Sequence, residues 1–148
     1  MGLRIYETEE DRRREALFIQ TIEERCRCSC VKLPYKWEFD MMLTRGGNLV
    51  ALGEMKQRNC ESTKYPTVVV GESKLKKALF YSERFIQVDG RSPVPVVLFV
   101  RYTDGDRLTK ISSLSGFGRE RFTASNHADD PTDTEWVVHI PTNLFKSF

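Results

Sequence analysis

The sequence predicts a mixed α/β domain in which helices cover the faces of a β-sheet. Three observations indicate this: a helical apolar pattern near the N-terminus, alternating apolar residues in the middle of the chain, and a second helical pattern between two β-like runs. The order helix, strands, helix, strands is typical of a sheet flanked by helices. A chain of 148 residues, 40% apolar and 30% charged, is expected to form one globular domain.

The composition argues against a membrane or secreted protein. No apolar run reaches transmembrane length and the N-terminal segment is polar, so we expect a cytoplasmic protein whose four cysteines are reduced thiols. Cys26, Cys28 and Cys30 lack the paired spacing of a structural zinc site. The formal net charge of +2 gives no overall sign of nucleic-acid binding, although short basic clusters could bind nucleic acid locally.

The first helix is predicted over about residues 8 to 26. Thr8 and Asp11 have the spacing of a capping box, and acidic residues suit the positive end of the helix dipole. Glu15 lies on the flank of the apolar stripe, because it precedes two apolar residues of the stripe at helical spacing. The stripe itself consists of Ala16, Ile19, Ile22 and Cys26.

The segment from Lys36 to Asn59 is predicted to be a hairpin. Apolar and polar residues alternate before the turn, and Leu49 to Arg58 has the pattern of the partner strand. Glu54 and Lys56 share one face of that strand, since side chains alternate. Asp40, on the first strand, joins the same face only if the loop contains three residues or if a bulge compensates for a shorter loop.

Two further residues, Glu38 and Gln57, have positions that depend on the register and the shape of the hairpin. In the three-residue register, with the loop Gly46-Gly47-Asn48, Glu38 lies opposite Lys56 and forms a favourable cross-strand pair or adds an acid to the site. Gln57 lies on the other face unless the strand bends. Both are therefore possible supporting residues.

The combination of Asp40, Glu54 and Lys56 suits a metal-assisted cleavage of phosphodiesters. Carboxylates supply the hard oxygen ligands that Mg²⁺ prefers, and a lysine beside them can stabilise charge on a phosphate. A solvated ladder of charged side chains is the alternative. Apolar residues continue the same face, however, and charges on a buried face need partners or a metal.

The remaining elements complete the predicted fold. We expect a strand at 67–70, a helix capped by Ser73 that ends near Phe85, and a buried strand at 94–102. A turn at 103–106, a hairpin strand at 108–114 and a last strand at 136–140 follow. Residues 115–134 are predicted to be mostly irregular, since they are rich in turn-forming residues.

The motif Asp40…Glu54-x-Lys56, between an N-terminal helix and a second helix, resembles the PD-(D/E)xK nuclease superfamily. The resemblance covers about residues 8 to 102 and leaves 103–148 as a C-terminal extension. It departs from the superfamily motif at Phe39, which stands where the motif has proline. It implies a restriction-endonuclease-like fold with an αβββαβ core, in a compact member similar to phage-type or junction-resolving nucleases.

The resemblance also implies an activity and its participants. Asp40, Glu54 and Lys56 would be catalytic, with Mg²⁺ or Mn²⁺ as cofactor, and cleavage of duplex or branched DNA would leave a 5′-phosphate. A glutamate of the first helix would be a further metal ligand; Glu15 is the candidate, and Glu23 and Glu24 compete with it. Lys74 would lie near the DNA. The remaining expectations are DNA contacts from Arg12 and Arg13 and a possible homodimer.

Two alternatives to this activity stay open at this point. One is a nuclease fold without turnover that serves as a DNA-binding or protein-binding accessory module. The other is the same chemistry directed at RNA.

Overall fold

The computed structural model describes residues 8–34, 39–85, 93–123 and 134–148, and it confirms the mixed α/β fold class. The strands and α-helices within these ranges are α1 (Glu9–Cys26), β1 (Ser29–Lys32), β2 (Met41–Arg45), β3 (Asn48–Gln57), β4 (Thr67–Gly71), α2 (Glu72–Arg84), β5 (Val96–Tyr102), β6 (Gly105–Ile111), β7 (Gly118–Thr123), β8 (Thr134–Pro141) and β9 (Lys146–Ser147). None of the described helices has the length and apolar character needed to cross a membrane.

Six strands form the central sheet in the order β1-β2-β3-β5-β6-β9. Strands β3 and β5 run parallel, and the other neighbouring pairs of this sheet are antiparallel. A parallel pair needs a crossover connection, which the segment containing β4 and α2 provides. The αβββαβ core predicted from the sequence is therefore present.

Helix α1 covers one face of the central sheet. Thr8 Oγ1 accepts a hydrogen bond from Asp11 N, and Asp11 Oδ2 accepts one from Thr8 N, each over 3.1 Å, which confirms the predicted capping box. The helix ends where Arg27 adopts a left-handed conformation with φ of +52°. Its buried side packs against the sheet in a cluster of Phe18, Ile22, Met41, Leu43, Ala51, Val97 and Phe99.

Helix α2 and a second sheet, in the order β4-β8-β7, pack on the opposite face of the central sheet. The residues of this larger core come from all three layers and include Leu52, Leu98, Val68, Val138, Leu75 and Ala78. Helix α2 begins at Glu72 with Gly71 as its N-cap and no side-chain cap, so the predicted cap at Ser73 is wrong.

Strand β7 lies within the segment 115–134 that was predicted to be irregular, so that prediction is wrong for residues 118–123. The strand reads Gly-Arg-Glu-Arg-Phe-Thr, and the described side chains from Arg119 to Phe122 are exposed. Pairing with β8, rather than burial of its own side chains, holds β7 in the sheet. Its sequence therefore shows no apolar alternation from which a strand could be predicted.

The hairpin of β2 and β3 has the register that the site requires. Met41 pairs with Gly53 and Leu43 with Ala51, which places Asp40 opposite Glu54 when the pairing is continued by one residue. The connection is a two-residue Gly46-Gly47 turn, with φ of +59° and +80°, rather than the three-residue loop.

A bulge reconciles the shorter turn with this register. Beyond it, Thr44 pairs with Leu49, so that Val50 is the extra residue on β3. The compensating bulge that the sequence allowed is thus the observed solution. Without it, Asp40 and Glu54 would point to opposite faces of the sheet.

Candidate active site

Glu54 is the most deeply buried charged side chain among the described residues, with 1% of its surface exposed. It lies on β3 between the apolar side chain of Leu52 and the lysine side chain of Lys56 on the same face. Glu54 Oε1 is 3.3 Å from Lys74 Nζ, whereas Oε2 has no hydrogen-bond partner among the described residues. Burying a carboxylate oxygen without a partner costs free energy, which makes Oε2 an available ligand atom.

Asp40 stands directly before β2, at the point where the pairing of β2 with β3 begins. Its Oδ2 accepts a hydrogen bond of 2.8 Å from Met55 N, which fixes the carboxyl group against the edge of β3. Asp40 is close enough to Glu54 to affect the ionisation of the Glu54 carboxyl. Burial, and then the charge of Asp40, raise the pKa of Glu54 to about 7, and the two nearby lysines only partly offset this.

Two lysines surround the carboxylate pair. Burial lowers the pKa of Lys56, and the charge of Lys74 lowers it further, although Glu54 acts in the opposite direction. Lys74 lies in the first turn of α2. Burial alone would lower its pKa, but the carboxylates of Glu54 and Asp40 raise the pKa of Lys74 overall. Two carboxyl groups and two amines therefore share one electrostatic neighbourhood.

A cavity of about 330 Å³ opens onto this neighbourhood. Its lining residues come from α1, the hairpin and α2: Asp11, Arg14, Glu15, Asp40, Met55, Gln57 and Lys74. Gln57 thus lies at the cavity, although strand alternation alone would place it on the other face. Helix α1 also reaches the cavity through its first turns, beside Asp40 and Met55.

Glu15 lies in this cavity lining, but its carboxylate forms an ion pair. Glu15 Oε1 is 2.7 Å from Lys32 Nζ. The competing residues lie elsewhere: Glu23 Oε2 accepts a hydrogen bond of 3.0 Å from Cys30 N, and Glu24 Oε1 accepts one of 3.2 Å from Gln20 Nε2. Among the candidates from the first helix, only Glu15 lies beside the cavity that contains Asp40. Its role as a metal ligand stays a prediction.

The predicted DNA contacts lie in different places. Lys74 is within the site, whereas Arg12 and Arg13 line a separate surface depression with Glu9 and Glu10. Arg13 Nη2 is paired with Glu10 Oε1 over 2.9 Å. Arg14, the third residue of this arginine run, lines the cavity itself. Its spacing of three residues from Asp11 on the helix was the available signal.

Glu38, the possible supporting residue, lies outside the described residues. Within the described ranges, no group of three or more His, Cys, Asp or Glu side chains is arranged to hold a metal ion. Among the described residues the site therefore offers the carboxyl groups of Asp40 and Glu54, with the carboxylate of Glu15 beside the same cavity.

The family model described as "Phage putative PDDEXK endonuclease" matches residues 3–148. The match covers almost the whole chain, and the chain belongs to this family of phage PDDEXK endonucleases. No curated protein matches the sequence. Family membership agrees with the αβββαβ core of the structure.

Proposed function

We propose that this protein is a divalent-metal-dependent nuclease that hydrolyses DNA phosphodiester bonds at Asp40, Glu54 and Lys56. The observation that carries the proposal is the buried Glu54 carboxyl, whose Oε2 has no described partner and whose pKa burial and Asp40 raise to about 7. A carboxyl group in this setting favours a cation beside it, because a cation stabilises the ionised form. Membership of an endonuclease family supports the same reading.

The residues present fit Mg²⁺ or Mn²⁺. Asp40 and Glu54 offer hard carboxylate oxygens, and Mg²⁺ is commonly held by one or two carboxylates together with water and substrate phosphate. When bound, such a metal polarises a phosphoryl oxygen and lowers the pKa of a coordinated water. Asp40 keeps one oxygen on Met55 N, which orients the carboxyl group and leaves the other oxygen for a ligand.

Lys56 acts on the substrate phosphate in this proposal. It follows Glu54 by two residues on the same face, and the partial burial of its side chain lowers its pKa. In our proposal Lys56 Nζ donates to a phosphate oxygen or to the attacking water, where its charge stabilises the negative charge of the transition state. A partly dehydrated ammonium exerts a stronger field there than one in bulk water.

Lys74 has a positioning role in this proposal. Its Nζ lies 3.3 Å from Glu54 Oε1 and holds that oxygen in place. The side chain of Lys74 is 45% exposed, so its ammonium can also reach a phosphate at the mouth of the cavity. Glu15, at the same cavity, would add a ligand only if its carboxylate leaves Lys32.

The test is cleavage of plasmid DNA with and without Mg²⁺ by the wild type and by Lys56→Ala. We expect metal-dependent cleavage by the wild type and a loss of roughly 10²–10³-fold in the variant, the cost of removing one group that stabilises transition-state charge. Lys77→Ala, at an exposed position on α2, is the matched control and should cleave like the wild type.

Equal cleavage by wild type and Lys56→Ala would contradict the assignment. Intact DNA binding without metal uptake or cleavage would instead identify a nuclease-fold binding module. Faster cleavage of RNA than of DNA in direct competition would contradict the proposed substrate.

A further inference from the structure

Two cavities outside the candidate active site share one wall, which is formed by Tyr65 and Pro66. The first, of about 540 Å³, is lined by Arg58, Tyr65, Pro66, Thr67, Val69 and His139. The second, of about 500 Å³, contains Lys64, Tyr102, Arg107 and Phe145 beside Tyr65. Together these two cavities are called the basic–aromatic track. Neither contains a residue of the candidate active site.

Arg58 connects the track to the site. Its main-chain N donates to Arg101 O over 2.8 Å, which continues the pairing of β3 with β5 by one residue. Arg58 therefore follows Glu54 and Lys56 on the same face, about 6.6 Å beyond Lys56 along the strand. Its Nη2 donates to Val69 O over 2.9 Å, which fixes the guanidinium group at the wall of the first cavity.

The lining of the track is positively charged. Arg58, Lys64 and Arg107 all contribute cations, and the described lining residues of the two cavities include no Asp or Glu. His139 is held by other groups: Nδ1 is 2.9 Å from Thr67 Oγ1 and Nε2 is 2.8 Å from Glu120 Oε2. This charge pattern fits a polyanion.

Tyr65 adds an aromatic surface between the cations. It is 58% exposed, more than any other large apolar side chain among the described residues. Lys64 Nζ lies 5.5 Å from the centre of the Tyr65 ring. A basic groove interrupted by exposed aromatic rings is typical of proteins that bind single-stranded nucleic acid, since phosphates contact the cations and bases stack on the rings.

We propose that the basic–aromatic track binds a single-stranded segment of DNA adjoining the phosphodiester bond that is cut, with one base stacked on Tyr65. The catalytic end of this proposal rests on the proposed nuclease function. A base within a duplex is already stacked between its neighbours and cannot offer its face to Tyr65. The substrate class is therefore DNA with an unpaired segment, such as a single strand, a flap or a junction with a free end.

The proposal is tested by fluorescence anisotropy in EDTA, with a labelled single-stranded thymidine oligonucleotide and a duplex of equal length as probes. Tyr65→Ala should weaken binding of the single strand by about 5- to 100-fold, the range expected for the loss of one stacked base, and leave duplex binding unchanged. Tyr65→Trp should retain the affinity, because the indole ring also stacks.

Phe80→Ala is the matched control. Phe80 is 47% exposed with the Arg84 guanidinium 3.4 Å from its ring centre, and it lies outside both cavities, so single-strand binding should not change. Lys64→Ala should reduce the slope of log affinity against log salt by about 0.7, as expected for one lost phosphate contact to a single strand.

Unchanged single-strand binding by Tyr65→Ala, or equal losses on both probes, would overturn the track. Binding is measured in EDTA, where no metal-dependent cleavage takes place. The binding assay and the cleavage assay therefore test the two proposals separately. A protein that binds single strands through Tyr65 but never cuts DNA would overturn only the nuclease function. An active nuclease whose affinity for the single strand is unchanged in Tyr65→Ala would contradict only the proposed binding at the basic–aromatic track.

Discussion

Glu54→Gln should stabilise the metal-free protein at about pH 8, although it alters the proposed active site. Burial and the charge of Asp40 raise the pKa of Glu54 from 4.5 to about 7 in the folded protein. In the unfolded chain the carboxyl group ionises near its ordinary pKa. Between these values the folded state therefore binds more protons than the unfolded state, and the free energy of unfolding of the wild type falls as pH rises.

The size of the effect follows from the two pKa values. The difference between 7 and 4.5, at about 1.36 kcal/mol for each pKa unit, corresponds to about 3 kcal/mol. The amide of Glu54→Gln stays neutral across this pH range, so the variant does not lose free energy of unfolding as pH rises. The variant and the wild type should thus differ little at about pH 4, and the variant should be more stable by about 3 kcal/mol at about pH 8.

Urea unfolding in EDTA across this pH range measures the effect. Adding Mg²⁺ at the higher pH should restore stability to the wild type, because a bound cation favours the ionised carboxylate, and should do little for Glu54→Gln. A stability difference between the two proteins that is independent of pH would refute the reasoning. It would mean that folding does not raise the pKa of the Glu54 carboxyl.

Two further substitutions test the frame that holds the site. Gly53→Ala should destabilise the protein by about 1–3 kcal/mol in thermal or urea unfolding. The new Cβ would lie 2.8 Å from Met41 Cε and 2.9 Å from Leu43 Cδ1, which pack in the cluster beneath α1. Unchanged stability would show that these side chains move aside at little cost in free energy. Asp106→Ala should cost about 3 kcal/mol, since the buried Asp106 carboxylate accepts hydrogen bonds from Arg101 Nε at 2.8 Å and from Arg25 Nη1 at 3.2 Å. Asp104→Ala, whose partner Ser62 lies in an exposed loop, is its control and should cost clearly less.

The sequence predicts the central part of the fold because each element there buries one periodic face. The apolar run of β5 lies in the core as expected, and so does Ile22 of the predicted α1 stripe. The stripe is wrong at Ala16, which is exposed, whereas Phe18 is buried although it was not part of the predicted stripe. The hairpin register followed from a chemical requirement, that Asp40 and Glu54 share a face. The sequence could not choose between a longer loop and a bulge, because Gly46 and Gly47 suit both solutions.

Other features depend on partners that are distant in the chain. Strand β7 exists through its pairing with β8, and its exposed charged residues carry no apolar alternation. Gly53 lies in the middle of β3, where a glycine often marks a bulge or the close approach of a ligand. The structure shows instead that Met41 and Leu43 occupy the space where a side chain would lie, and that the bulge is at Val50.

Sequence reasoning reached the centre of the candidate site more fully than its border. Alternation on adjacent strands placed Asp40, Glu54 and Lys56 on one face, and the family resemblance implied Lys74; the roles of all four stay predictions. The partners of Arg13 and Glu15 decide whether their charges are available, and those pairings with Glu10 and Lys32 depend on side-chain packing. Arg58 continues the same strand face, but its position beside the track depends on the second sheet.

A crystal structure of the protein soaked in Mn²⁺ tests the central claim most directly. The account predicts an anomalous peak between the carboxyl groups of Asp40 and Glu54, with oxygen–metal distances of about 2.0–2.6 Å, typical of hard divalent cations. The peak should be absent from Glu54→Gln crystals soaked in the same way. A fully occupied Mn²⁺ site elsewhere, with Glu54 Oε2 still unliganded, would contradict the account.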